Sequence, residues 1–90
     1  MFIYLLLLLA FMLNKTKARI LIYLSQARIQ LRWLRQISTK LGIEYHDCSR
    51  VLNGMKEERL LLRSRDGNNK VFWTLSSRGK ELLPKAKEMI

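Results

Sequence analysis

The chain has 90 residues, enough for one domain with a modest core. It carries 17 lysines and arginines against 7 acids, a formal charge of +10, which indicates a polyanionic partner: nucleic acid first, an anionic membrane surface second. Its single cysteine, Cys48, excludes an intrachain disulfide and predicts an intracellular, cytoplasmic setting.

One histidine and one cysteine are too few for a protein-only metal site. No phosphate-binding loop, nucleophile elbow or zinc-protease motif is present, so we expect neither an enzyme nor a cofactor.

The first fourteen residues, MFIYLLLLLAFMLN, carry no charged side chain. As a helix they would rise about 21 Å, short of the roughly 30 Å of a hydrocarbon core. An all-apolar helix must be buried on nearly every side. Three interpretations of residues 1–13 stay open. They form a dimerisation helix, which we favour; or residues 2–13 anchor the chain in a membrane whose anionic surface attracts the basic residues that follow; or the residues before Met12 are an upstream extension, and the true start at Met12 leaves a small soluble domain that begins MLNKTK. Residues 14–90 form the domain proper.

Two helices and a short strand are predicted next. Asn14 or Thr16 can cap a helix over residues 17–26 that places Ile20, Leu21 and Leu24 on one face. Residues 29–31 alternate in polarity, which favours one short strand. A second helix is predicted over residues 32–41.

The second helix has an apolar stripe and a basic stripe. Its core stripe is Leu34, Ile37 and Leu41, and Gly42 ends it. If the helix reaches back far enough, a basic face is shared by Arg28, Arg32 and Arg35.

A third helix follows the turn over residues 42–45, with Cys48, Leu52 and Met55 as its buried stripe. Leu60 to Leu62 lead into a strand, residues 66–69 (DGNN) give a strong turn signal, and residues 71–75 return as the second strand of a hairpin.

A last helix should start at Ser76 or Ser77. Its apolar side chains are Leu82, Leu83, Ala86 and Ile90, and Pro84 should kink or shorten it.

This order of elements resembles the winged helix-turn-helix transcription regulators of bacteria and archaea, the MarR-like and ArsR-like group. Three segments carry the resemblance: residues 37–43 (ISTKLGI), residues 48–61 around CSRVL, Met55 and Leu60-Leu61, and residues 73–83 (WTLSSRGKELL), which are similar to the closing LTxxGxxLL pattern. The resemblance covers residues 16–83. Glu44 stands where the family usually has a capping Ser or Thr, Gly54 interrupts the third helix, and residues 1–13 have no counterpart.

The resemblance implies an α+β, mainly helical fold: a three-helix core with a β-hairpin wing. The sequence adds an extra apolar N-terminal helix and a C-terminal helix. It also implies a homodimer that binds double-stranded DNA, with the third helix in the major groove and the wing on the backbone or minor groove. The function we expect is that of a sequence-preferring transcription regulator, with no small-molecule ligand evident.

Removing the core positions of the third helix leaves the candidate base-reading residues Tyr45, His46, Ser49, Arg50 and Asn53. Arg50 can bind a guanine edge in bidentate fashion, and Asn53 an adenine edge. We expect the DNA backbone to be bound by Arg32, Arg35, Lys40 and Lys56, and by the wing through Arg63, Arg65, Asn68, Asn69 and Lys70. The competing interpretation for each is an ordinary solvated surface or, on the wing, basic residues that protect a strand edge.

Three further side chains are assigned to structural roles. Cys48 should be a small buried hydrophobe, Trp33 and Trp73 core residues, and Asp47 a residue that favours the start of the third helix. The rival class of function is a protein-interaction or membrane-tethered winged helix, since fold alone does not settle function.

Overall fold

The computed structural model describes residues 13–28 and 32–90. The elements are α1 Lys15–Gln26, α2 Leu34–Leu41, α3 Tyr45–Glu57, β1 Leu61–Arg65, β2 Val71–Leu75, α4 Ser77–Glu81 and α5 Leu83–Glu88. The fold is α+β, with a two-stranded antiparallel hairpin after three helices, as the resemblance implied. The strand predicted over residues 29–31 lies outside the described residues, and so does the helix predicted over residues 1–13, except for Leu13, which is buried and not helical.

α1 begins where a side chain accepts a hydrogen bond from one of the first backbone N–H groups of the helix. The Oδ1 of Asn14 accepts a 2.8 Å hydrogen bond from the backbone N–H of Lys17. Asn14 and not Thr16 is therefore the N-cap, and the helix begins two residues earlier than predicted.

α2 begins at Leu34, so the prediction of a helix from residue 32 is wrong at its first two positions. Trp33 has extended backbone angles, φ −79° and ψ 151°. The carbonyl of Arg32 accepts a 3.0 Å hydrogen bond from Trp73 N–H in β2, which ties this backbone to the wing. The predicted basic face shared by Arg28, Arg32 and Arg35 does not form, because only Arg35 belongs to the helix.

The turn between α2 and α3 is fixed by Gly42 and Ser38. Gly42 adopts the left-handed conformation (φ +66°) and ends α2 as predicted. The buried Ser38 hydroxyl donates a 2.6 Å bond to the carbonyl of Ile43, whose own N–H donates to the carbonyl of Ser38. These two bonds set the angle between α2 and α3.

The predicted apolar stripe of α3 is confirmed, because Cys48, Leu52 and Met55 are fully buried. Burial raises the pKa of the Cys48 thiol to about 11, so this side chain is a buried hydrophobe and not a reactive thiolate. The rest of the core comes from α1, α2, β1, β2, α5 and the residues that flank the elements, namely Leu13, Ala18, Ile20, Leu21, Leu24, Ile37, Leu60, Leu61, Trp73, Leu82 and Ala86.

The wing is a regular hairpin in which Leu61 pairs with Leu75 and Arg65 with Val71. The predicted turn is confirmed. The Oδ1 of Asp66 accepts bonds of 2.8 Å from Asn68 N–H and 3.0 Å from Lys70 N–H. Its carboxylate therefore braces the wing tip from inside.

The C-terminal helix is divided in two, as Pro84 predicted. α4 ends at Glu81, and Pro84 lies in the first turn of α5, where a missing N–H is tolerated. Ser76 caps α4 by accepting a 3.1 Å bond from Gly79 N–H. The prediction that the last helix includes Ile90 is wrong: α5 ends at Glu88, and Ile90 is exposed. Among the described residues, no helix combines the length and apolar character needed to cross a bilayer.

Gly54 has ordinary helical backbone angles inside α3, and a methyl group added there would meet no described atom within 4 Å. Gly54→Ala is therefore expected to stabilise the protein by about 1 kcal/mol, because glycine is that much poorer than alanine in a helix interior. Urea unfolding measures this change.

The matched control is Gly42→Ala, which is equally unobstructed but has φ +66°. It should destabilise the protein by about 1 kcal/mol or more. If Gly54→Ala were also destabilising, the third helix would need a glycine for a reason other than its local backbone.

Candidate nucleic-acid interface

The buried stripe of α3 fixes which of its side chains face outward. Tyr45, His46, Arg50 and Asn53 are exposed, and Ser49 is half-buried. All five predicted base-reading residues therefore lie on the accessible side of one helix.

These residues divide into two strips along α3. Tyr45, Ser49 and Asn53, at spacings of four, face a groove between α3 and the wing. His46 and Arg50, also four apart, are not among the residues that line this groove. The two strips would therefore meet different parts of a bound partner.

Within the described residues, the outward side chains make local contacts. Asn53 Nδ2 donates a 2.9 Å bond to the carbonyl of Ser49, which uses one of its two amide hydrogens. The rings of Tyr45 and His46 meet edge to face with centroids 5.7 Å apart. Arg50 Nη2 lies 3.8 Å from Asp47 Oδ1, and the two side chains are 80% and 62% exposed. Such an exposed pair is worth little, so Arg50 remains available to a ligand.

Glu44 takes the capping role that the family gives to Ser or Thr. Its carboxylate accepts a 3.0 Å bond from Asp47 N–H, and hydrogen bonds from the backbone of His46 and Asp47 lower the pKa of Glu44. The Glu44 carboxylate therefore caps the N-terminus of α3. The helix is capped even though residue 44 is not the Ser or Thr that is usual in the family this chain resembles.

The groove between α3 and the wing has a volume of about 630 Å³. α3 forms one wall, and the other is formed by the wing and the start of α2. The described residues that line it include three cations, Arg35, Arg63 and Lys70, and no acid. The wall formed by the wing and α2 is therefore suited to an anionic partner.

The remaining residues that were predicted to bind the DNA backbone are not among those that line this groove. Lys40 on α2, Lys56 on α3 and Asn68 on the wing are exposed. Arg65 Nη1 lies 3.3 Å from both the carbonyl and the Oδ1 of Asn69. Arg32 is half-buried, its Nε donates a 2.8 Å bond to the carbonyl of Ala27, and it lines a second cleft with Lys80.

Trp33 is the residue at this site that the sequence did not indicate. It was predicted to be core, as Trp73 is, but it is half-buried and lines the groove. Lys70 Nζ lies 4.4 Å from the centroid of its ring. No local pattern signals this contact, because the two residues are far apart in the sequence.

Comparison with solved structures identifies winged-helix regulators of the MarR family. A variant of MepR from S. aureus superimposes with a TM-score of 0.76 at 20% identity over 88% of this chain and 59% of its own. A variant of ZitR from Lactococcus lactis gives a TM-score of 0.68 at 31% identity over 84% of this chain. A second S. aureus MepR variant, bound to an oligodeoxyribonucleotide, gives 0.73 at 18% identity.

The chain spans about half the length of ZitR, 49%. No protein-family model matches the sequence, and comparison with curated proteins gives no significant match.

Proposed function

We propose that this chain, which has the fold of the MarR-like winged-helix regulators, binds double-stranded DNA with sequence preference and regulates transcription as a homodimer. One observation carries the proposal: the exposed face of α3 borders a cation-lined groove whose far wall is the wing. Support also comes from the MepR variant described in complex with an oligodeoxyribonucleotide.

In the proposed complex α3 enters the major groove and the wing lies on the adjacent backbone or minor groove. The sugar-phosphate strand that separates the two grooves of the duplex would run between α3 and the wing. Arg35 and Arg63 then contact phosphate from the same wall, the one that α2 and the wing form. His46 and Arg50, outside this groove, face the base edges, while Tyr45, Ser49 and Asn53 serve both the bases and the strand.

The homodimer is proposed because helix-turn-helix modules pair to read two half-sites one helical turn apart. A single α3 offers few base-reading side chains, so one module alone would give weak sequence preference. Residues 1–13 are the candidate dimerisation segment, by the burial argument made from their sequence.

Arg50→Ala is expected to flatten the preference for one base pair in each half-site, by about 1–3 kcal/mol of discrimination. The reason is that the guanidinium binds two acceptors of a guanine edge and an alanine binds none. Competition binding with a panel of single-base variants of the preferred site, followed by fluorescence anisotropy, measures the change.

The control is Arg63→Ala, which removes an exposed cation from the wing wall of the groove. It should weaken binding to all DNA sequences alike, and it should make the slope of log K against log salt shallower by about 1. An Arg50→Ala protein that keeps its full sequence preference would show that α3 is not the reading element.

A further inference from the structure

The wing is attached to the start of α2 at two points. The first is the backbone bond from Trp73 N–H to the carbonyl of Arg32, at 3.0 Å. The second is the ammonium of Lys70, which lies over the ring of Trp33 at 4.4 Å. Because Trp33 directly precedes α2 and α2 packs against α3, both attachments relate the wing to the third helix.

Lys70 is held in place by its backbone as well as by its side chain. Its N–H donates to Asp66 Oδ1 at 3.0 Å, and its carbonyl accepts from Asp66 N–H at 2.9 Å. The braced turn therefore fixes where the Lys70 side chain begins, and that side chain reaches back across the indole instead of away from the wing.

The ring of Trp33 is not oriented by a hydrogen bond to any described residue. Its Nε1 is buried and has no partner within the part of the chain that the structure describes. A buried indole N–H normally finds an acceptor. The face of the ring, which meets the cation, is thus the part of Trp33 that makes a specific polar contact.

We infer that Lys70 and Trp33 form a latch that fixes the wing relative to α2, and hence the width of the groove between the wing and α3. Lys70 is in this account a positioning residue and not a phosphate contact, which revises its predicted role. The part of the inference that concerns DNA rests on the proposed function.

The first test uses the free protein. Lys70→Met keeps the length of the side chain and removes its charge, and Trp33→Leu keeps an apolar group and removes the ring. Each should accelerate amide hydrogen exchange across residues 61–75 about two- to fivefold, the size expected for an exposed cation–π contact. The double variant should exchange no faster than either single one, because both remove the same contact.

Two conservative variants separate the latch from general damage to the fold. Lys70→Arg keeps a cation over the ring, and Trp33→Phe keeps a ring under the cation. Both should restore most of the slow exchange. Additive effects in the double variant, or unchanged exchange in Lys70→Met, would overturn the latch.

The second test uses DNA. Lys70→Met and Trp33→Leu should both lose the hydroxyl-radical footprint of the wing and should share one slope of log K against log salt, because both release the wing. Arg63→Met gives the size of one lost phosphate contact, a slope that is shallower by about 1. If the slope of Lys70→Met is shallower than that of Trp33→Leu by this amount, Lys70 binds phosphate and the inference fails. Failure of the unmodified protein to bind DNA would count against the proposed function only. The hydrogen-exchange measurements test the latch in the free protein and do not depend on DNA binding.

Discussion

Raising the salt concentration from about 50 mM to about 200 mM is expected to weaken DNA binding by roughly a thousandfold. The cations available to DNA around the proposed site are exposed, namely Arg35, Lys40, Arg50, Lys56, Arg63 and Arg65. If about six phosphates are neutralised, the slope of log K against log salt is about −5, because each contact releases condensed counterions from the duplex.

The measurement is a series of binding isotherms on one duplex at several salt concentrations. The control is Arg63→Ala, whose slope should be shallower by about 1. An affinity independent of salt would contradict an interface built on these cations, whatever the affinity at a single condition.

Gly79→Ala is expected to destabilise the protein by about 3 kcal/mol or more, because a close-packed site must shift to admit the methyl group. A Cβ at residue 79 would overlap the carbonyl oxygen of Leu60 and lie 3.3 Å from Leu75 Cδ2. The Leu60 carbonyl cannot retreat freely, since it also accepts a 3.0 Å bond from Ser76 N–H.

The site of this contact joins the end of α3 to the start of α4. Arg59 has a left-handed backbone (φ 64°) there, and its carbonyl accepts a bond from the Ser76 hydroxyl that also caps α4. Moving α4 to relieve the overlap would strain these bonds as well. The loss should therefore exceed that of Gly42→Ala, where only the backbone conformation changes.

Guanidinium chloride unfolding of Gly79→Ala measures the loss. The control is Lys80→Ala in the same helix, which alters an exposed side chain and should change stability by no more than about 0.5 kcal/mol. Equal stability of the two variants would show that the close approach of α4 to Leu60 does not hold the fold together.

The same glycine shows what a sequence pattern can and cannot predict. Gly79 is the glycine of the closing LTxxGxxLL pattern, so the resemblance marked its position. The reason for a glycine there, the carbonyl of Leu60, comes from a distant part of the chain and is visible only in the fold.

Local patterns predicted the elements whose ends are set locally. The apolar stripe of α3, the left-handed Gly42 and the Asp66 turn each depend on residues within a few positions of one another, and all three are confirmed. The start of α2 was misplaced because the carbonyl of Arg32 bonds to β2, a long-range contact with no sequence signal.

The predictions for the candidate site also divide into those that depend on local spacing and those that depend on long-range packing. The spacing within α3 predicted which side chains face outward, since helical periodicity alone decides that. It did not predict that Ser49 and Asn53 face the wing groove while Arg50 does not, because the position of the wing depends on tertiary packing. The pairing of Lys70 with Trp33 was missed for the same reason.

The most direct measurement of the central claim is a selection of bound duplexes from a random pool with the full chain. The proposed function predicts a shared sequence with two-fold symmetry, whose half-sites are centred about 10 base pairs apart. Recovery of bound duplexes with no common sequence would contradict sequence reading by α3.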